Sequence, residues 1–143
     1  MALYLLDTNV LVAAVRQNAL YGRIEQQYQL QGGPDRPFCC IVTHGEILSL
    51  ARQFGWGSDK LTQLGHILTT VVSWIDISRP SLVEAYAEID VYSASVKRTM
   101  GKNDIWIAAA AAVTSLPLLT TDRDFLHLDP TFLTCEYIDP GVV

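Results

Sequence analysis

The sequence predicts an α/β protein, a parallel sheet of four or five strands covered by helices on both faces, in a single domain over 1–143. Three observations predict it. Short apolar runs alternate with helix-patterned segments from end to end, the signature of strand–helix–strand units. The runs are apolar throughout, as strands buried on both faces are. The chain, at 143 residues, supports one real hydrophobic core and contains no internal repeat, low-complexity tract or second domain.

The elements follow in order. Residues 3–6 read as a short buried strand, and a helix follows from about 9 to 30, opening on Val10, Val12, Ala13 and Ala14. The segment 31–37 is a loop by its glycine and proline content. Residues 38–42 form a second apolar strand. Helix resumes near His44 and stops before the Gly55-Trp56-Gly57 break, and another helix covers 58–70. Residues 71–77 read as a third strand. An amphipathic helix covers 78–99, with Leu82, Ala85, Tyr86, Ile89 and Tyr92 near helical spacing. After a turn at Gly101 comes an alanine-rich buried helix over 105–113. Residues 116–120 are a fourth strand and 134–138 a fifth.

Half the residues are hydrophobic and 17% are charged, which excludes a disordered chain. No apolar run reaches the ~18 residues of a membrane span. The opening Met-Ala-Leu-Tyr has no basic n-region, so no signal peptide is expected. Cys39, Cys40 and Cys135 have no metal-ligand spacing and are odd in number, so they read as reduced packing residues of a cytoplasmic protein. Adjacent on a strand, Cys39 and Cys40 should face opposite ways.

Four acids stand where a strand or tight turn hands over to a helix: Asp7 in LLDTNV, Glu46 in VTHGEIL, Asp104 in GKNDIWIAA and Asp122 in LLTTDRDF. The carboxyl ends of parallel strands line one edge of an open sheet, so these acids can converge. Crowded carboxylates repel unless protons or a cation join them. The charge count agrees. Net charge is −5, from fifteen acids and ten bases, and setting aside the four acids and Asp124 leaves ten of each. The excess charge is the site's own.

Each acid also has a purely structural reading. Thr43 and Glu46 match a capping box, as do Ser81 and Glu84, and Asp7, Asp104 and Asp122 can cap helix starts. Capping alone does not explain why charged residues recur beside neutral caps such as Asn9, Asn103 and Thr121.

Taken in order, LLDTNV, T-x-x-E, G-x-N-D-x-x-I-A-A and LLTTDRDF resemble the motifs of PIN-domain ribonucleases, specifically VapC-type toxins of bacterial type II toxin–antitoxin pairs. The resemblance runs from Asp7 to Phe125, nearly the whole chain. It implies the PIN-like three-layer α/β/α fold and a Mg2+- or Mn2+-dependent endoribonuclease. Asp7, Glu46 and Asp104 match the central catalytic and metal-binding triad, and Asp122 the more variable fourth acid. Asp124 is a further candidate, against a reading as an outward-facing acid. Thr8 and Thr121 resemble hydroxyls that flank the site. The resemblance also implies an RNA substrate, tRNA or another structured RNA among the options, a cognate antitoxin protein and a homodimer.

Hard dications prefer carboxylate and water oxygens. A metal on Asp7 and Asp104 would bind a scissile phosphate oxygen and activate water, with Asp122 holding a second metal or positioning water. Glu46 would ligate through water or take a proton. Products with 5′-phosphate and 3′-hydroxyl ends are expected, because no histidine pair suggests a metal-free route. Lys102 and Arg123 are candidate RNA contacts. Lys97 and Arg98 read as an ordinary helix end, His66 and His127 as structural, and His44, beside Glu46, as a surface or partly packed residue against a site-facing alternative. The alternatives are a catalytically inactive PIN-like module that binds RNA or protein, and a phosphoryl-transfer protein. The second is disfavoured because Asn9 stands where a dehalogenase-type motif needs a second Asp, and no late lysine follows a strand.

Overall fold

A computed structural model describes residues 3–141. The readings placed on Met1, Ala2, Val142 and Val143 lie outside the described residues. Five short strands form one all-parallel sheet in the order β3-β2-β1-β4-β5: β1 Leu5–Leu6, β2 Phe38–Cys40, β3 Ser73–Ile75, β4 Leu118–Thr120 and β5 Cys135–Tyr137. Each strand is shorter than its apolar run, because the flanking residues are taken into caps and turns.

The helices are α1 Thr8–Arg16, α2 Ala19–Tyr28, α3 Ile41–Gln53, α4 Ser58–His66, α5 Pro80–Ser95 and α6 Lys102–Thr114. Side-chain alternation over two or three residues divides the core between the two faces. Leu6, Cys39 and Leu119 join Val10, Leu11, Ile24, Ile47 and Leu64 on one face. Leu5, Cys40 and Leu118 join Leu82, Ile89, Ile107 and Phe125 on the other. Cys39 and Cys40 do face opposite ways, both fully buried, and burial pushes the Cys40 thiol up to about 11, away from thiolate chemistry. The fully buried run Ala108–Ala111 lets α6 lie close against the sheet. No described helix is long and apolar enough to cross a membrane.

Several boundaries differ from the sequence expectations. The helix expected over 9–30 is two: Gln17 turns left-handed at φ 49°, and the Asn18 side chain accepts from Tyr21 N at 2.9 Å and starts α2. That side chain supplies an N-cap partner a continuous helix lacks. A π-helical segment, Ile67–Val71, replaces the last turn of the expected 58–70 helix, takes Val71 from the expected third strand, and buries Ile67 and Leu68. Helix α3 begins at Ile41, three residues early, with Cys40 as its N-cap. Thr43 is therefore inside the helix, and its capping box with Glu46 does not form. Helix α5 likewise starts at Pro80 with Arg79 as N-cap and no side-chain cap, so the box at Ser81 and Glu84 does not form either. Proline at the first helical position is preset for that backbone and needs no donor.

Candidate active site and metal centre

The strand order reverses between β1 and β4, since β1 continues toward β2 and β4 toward β5. A crevice opens beyond the carboxyl ends of two such strands, and both carry an acid into it. Asp7 follows β1 directly, and Asp122 stands two residues past β4.

Asp7 is 3% exposed, unusual for a carboxylate, and both its oxygens are occupied. Oδ1 accepts from Thr8 N at 2.8 Å, and Oδ2 accepts from the Thr120 hydroxyl at 2.7 Å. The register explains the second bond. Leu5 pairs Leu118 and Leu6 pairs Leu119, so the next step sets Asp7 beside Thr120 on the same face. The Thr120 oxygen in turn accepts from Asp122 N at 3.0 Å, which ties the two strand ends together. Asp122 Oδ1 accepts from Asp124 N at 2.9 Å and caps the 3-10 helix Arg123–Leu128. Asp7 and Asp122 thus cap helices and face the crevice at once, so the two readings of these residues do not compete.

Asp104 is the third residue of α6, whose N-cap is Gly101. One ligand atom each from Asp104, Asp122 and Asp124 lie within 4.8 Å of one another. Asp124, exposed on the short helix, joins this group even though the sequence also allowed an outward-facing acid. Asp7 and Glu46 stand outside that mutual set and act on it at longer range. Burial, then the negative charges of Asp7, Asp122, Glu46 and Asp124, push the Asp104 carboxyl up to about 7. Burial pushes Asp7 up to about 6, against the lowering effect of its two hydrogen bonds, with Asp122 and Glu46 adding repulsion.

Glu46 reaches the centre from α3. The buried Thr8 hydroxyl lies 2.6 Å from Glu46 Oε1 and 3.1 Å from Thr43 Oγ1. A hydroxyl has one proton, and a carboxylate only accepts, so Thr8 donates to Glu46 and Thr43 donates to Thr8. Thr43, fully buried, is the anchor of this chain of bonds.

The structure therefore assigns Thr120, rather than Thr121, the hydroxyl that holds Asp7, and adds Thr43. Alternation selects Thr120 only once the β1–β4 register is known, and the sequence has no separate signal for Thr43. Arg123 is exposed, lies over the Tyr137 ring at 5.2 Å and donates from Nε to the Tyr137 hydroxyl at 3.2 Å. It lines a groove of about 450 Å³ with Arg98, Thr99, Asp124 and His127. Lys102 is exposed at the start of α6. His44 stacks on Trp74 at 4.6 Å, and His127 bonds the buried Ser93 hydroxyl at 2.8 Å, so both are packed residues.

Carboxylates converging in a crevice, two of them pushed up to about 6 and about 7 by burial and mutual repulsion, make a donor set that fits a hard dication of the Mg2+ or Mn2+ kind.

The PIN domain family model matches residues 4–129. The ribonuclease VapC5 of Mycobacterium tuberculosis (strain ATCC 25618 / H37Rv) is 43% identical over 99 residues, covering 67% of this chain and 71% of that protein. Among solved structures, VapBC2 from Rickettsia felis, bound to a DNA fragment from its promoter, matches with a TM-score of 0.76 at 19% identity, over 94% of this chain and 98% of that one. VapBC-5, a toxin–antitoxin family member from Mycobacterium tuberculosis, matches with a TM-score of 0.66 at 24% identity, over 96% and 98%. These two structural likenesses bear on the fold.

Proposed function

This chain belongs to the PIN domain family, and from its carboxylate geometry we propose that it is a metal-dependent endoribonuclease, the toxin of a toxin–antitoxin pair. The observation that carries the reading is the convergence of Asp104, Asp122 and Asp124 within 4.8 Å beside the buried, doubly bonded Asp7. Support for the ribonuclease assignment comes from the 43% identity to a ribonuclease over two thirds of the chain.

Asp7, Asp104 and Asp122 would hold Mg2+ or Mn2+, with Asp124 and Glu46 completing the acidic shell. Bound there, the cation supplies charge neutralisation at the scissile phosphate and a more acidic water. The remaining work falls to the chain. Thr8 N–H and the Thr120 hydroxyl fix Asp7 in one rotamer, so its carboxylate needs no reorganisation. Thr8 occupies Glu46 Oε1, which leaves the other carboxylate oxygen to take a proton from the attacking water. The water oxygen bonds to phosphorus as the bond to the 3′-oxygen breaks. The products carry a 5′-phosphate and a 3′-hydroxyl, the leaving oxygen taking a proton from solvent.

Arg123, preset against Tyr137, and Lys102 contact phosphates at the rim. The partner is a cognate antitoxin, a reading supported by the VapBC assemblies among the structural neighbours. The protein works in the cytoplasm as a homodimer, with its cysteines as free thiols.

The test is cleavage of RNA by purified protein with Mn2+ or Mg2+, beside Asp7→Asn and an EDTA control. Cutting that needs both the metal and Asp7, leaving 5′-phosphates, is the expected result. Protein that binds RNA but never cuts it would instead be the inactive module.

A further inference from the structure

A second groove shares Glu46 with the acidic centre but no residue with the Arg98–Arg123 groove. It lies between α3 and the start of α6, has a volume of about 440 Å³, and is lined by Val42, Gly45, Glu46, Ser49, Leu50, Gln53 and Asn103. It is continuous with the centre at both walls. Glu46 belongs to both, and Asn103 adjoins Asp104.

Its chemistry differs from that of the Arg98–Arg123 groove. Apart from Glu46 it contains no charged side chain. Val42 and Leu50 give it half-buried apolar surface, and Ser49, Gln53 and Asn103 give it exposed amide and hydroxyl groups. Gln53 Nε2 donates to Ser49 Oγ at 2.9 Å, which orients the carboxamide and leaves its oxygen and second N–H free. Apolar surface for a ring face and amides for a ring edge are what a nucleobase needs, and phosphates would find no cation here.

Gly45 lines the groove. It stands inside α3, exposed, where glycine is the least favoured residue after proline. As at Gly22 in α2 and Gly65 in α4, its backbone is helical and a Cβ built there would meet nothing within 4 Å, but at position 45 that open space belongs to a groove that touches the acidic centre. The space in front of it is the groove. A side chain at 45 would stand in that space without touching the protein.

We propose that this groove is a base-binding subsite for an unpaired nucleotide next to the scissile phosphate, with Gln53 and Asn103 reading the base and Gly45 keeping the entrance open. It rests on the ribonuclease reading for the identity of the ligand. The RNA would place its backbone against Arg123 and seat a base against α3. Sequence preference at the cut would then come from α3, and general affinity from the basic groove.

The experiment uses a random-sequence oligoribonucleotide pool. Cut ends made with Mn2+ are sequenced, and binding of the fluorescent pool without metal is followed by anisotropy, for wild type, Gly45→Leu, Gln53→Ala, Asn103→Ala and Asp7→Asn. Gly45→Leu should weaken binding roughly tenfold, the scale of one stacked base, with no loss of melting temperature. Gln53→Ala and Asn103→Ala should flatten base preference at one position beside the cut. Unchanged binding and unchanged preference in all three groove variants, with Asp7→Asn inactive, would overturn the subsite and leave the nuclease standing. If wild type binds the pool but does not cut, weaker binding by Gly45→Leu still supports the subsite while the nuclease reading falls. Failure of wild type to bind at all would overturn both. Should Gly45→Leu fold poorly, Gln53→Ala and Asn103→Ala decide alone.

Discussion

Asp7 and Asp124 face the same crevice from opposite conditions. Asp7 is 3% exposed, with both oxygens hydrogen bonded, while Asp124 is exposed on a short 3-10 helix. The β1 end is rigid and preorganised, and the far side of β4 is open to water. A carboxylate costs little at an exposed position and much at a buried one, so a retained buried charge marks the group whose geometry matters most. Asp7 should therefore be indispensable to the chemistry, and Asp124 should tune it.

Asp7→Asn is the strongest test of that contrast. It keeps the shape and removes the charge, so RNA cleavage should fall about a thousandfold or more while the fold persists. Asp124→Asn, measured in the same assay, should cost about tenfold or less. Equal losses would erase the distinction between the two sides.

The hydroxyl that holds Asp7 comes next. Thr120→Val leaves a buried carboxylate oxygen unpartnered and removes a bond that lowers the Asp7 pKa. Activity should drop about tenfold to a hundredfold, and stability by about 1–3 kcal/mol. The acid limb of the pH–rate profile should also move to higher pH. In wild type at subsaturating metal, where protons compete with the cation for the carboxylates, that limb should rise through about pH 6 to 7, where Asp7 and Asp104 lose their protons, and it should move to lower pH as metal is added. A limb unmoved in Thr120→Val would mean that Asp7 does not control it.

Stability reads the same charges with the opposite sign. Both carboxyls have folded pKa values above the ordinary 3.8. Between pH 3.8 and about 7 the folded chain binds more protons than the unfolded one, so the metal-free protein loses stability as pH rises through that window. Asp104→Asn should raise the melting temperature at pH 8 by about 5 °C and change it little at pH 4. Added Mn2+ should stabilise wild type and not the variant. The smallest effect belongs to the rim: Arg123→Gln should raise KM about threefold, more at low salt than at high, with kcat retained.

The sheet, its helical cover and the positions of the acids were legible in the sequence because each depends on local pattern: an apolar run, a helical period, a charge at a strand end. What was not legible depends on partners far away in the chain. Thr121 and Thr120 are indistinguishable until the register of β4 against β1 is known, and then alternation selects Thr120. The pairs Thr43/Glu46 and Ser81/Glu84 have the spacing of capping boxes, but the tertiary position of each helix start decides whether a cap is needed. Position 43 became a buried anchor and position 81 an ordinary helix residue. The break at Gln17 and Asn18 was missed because an apolar period continues across it. Asp124 looked like surface because it is surface, and only the turn after Thr120 brings it to Asp104.

The bond from Thr120 to Asp7 spans 113 residues of sequence. During synthesis the first acid leaves the ribosome long before the hydroxyl that orients it, and before Asp104, Asp122 and Asp124 exist. The central strand β1 must wait for β4, the slow long-range pairing in this topology. A chain halted anywhere before position 120 therefore lacks Asp122, Asp124 and the hydroxyl that holds Asp7, and cannot assemble the acid cluster. Unfinished copies therefore lack the proposed site, and a cognate antitoxin has until the end of synthesis to arrive.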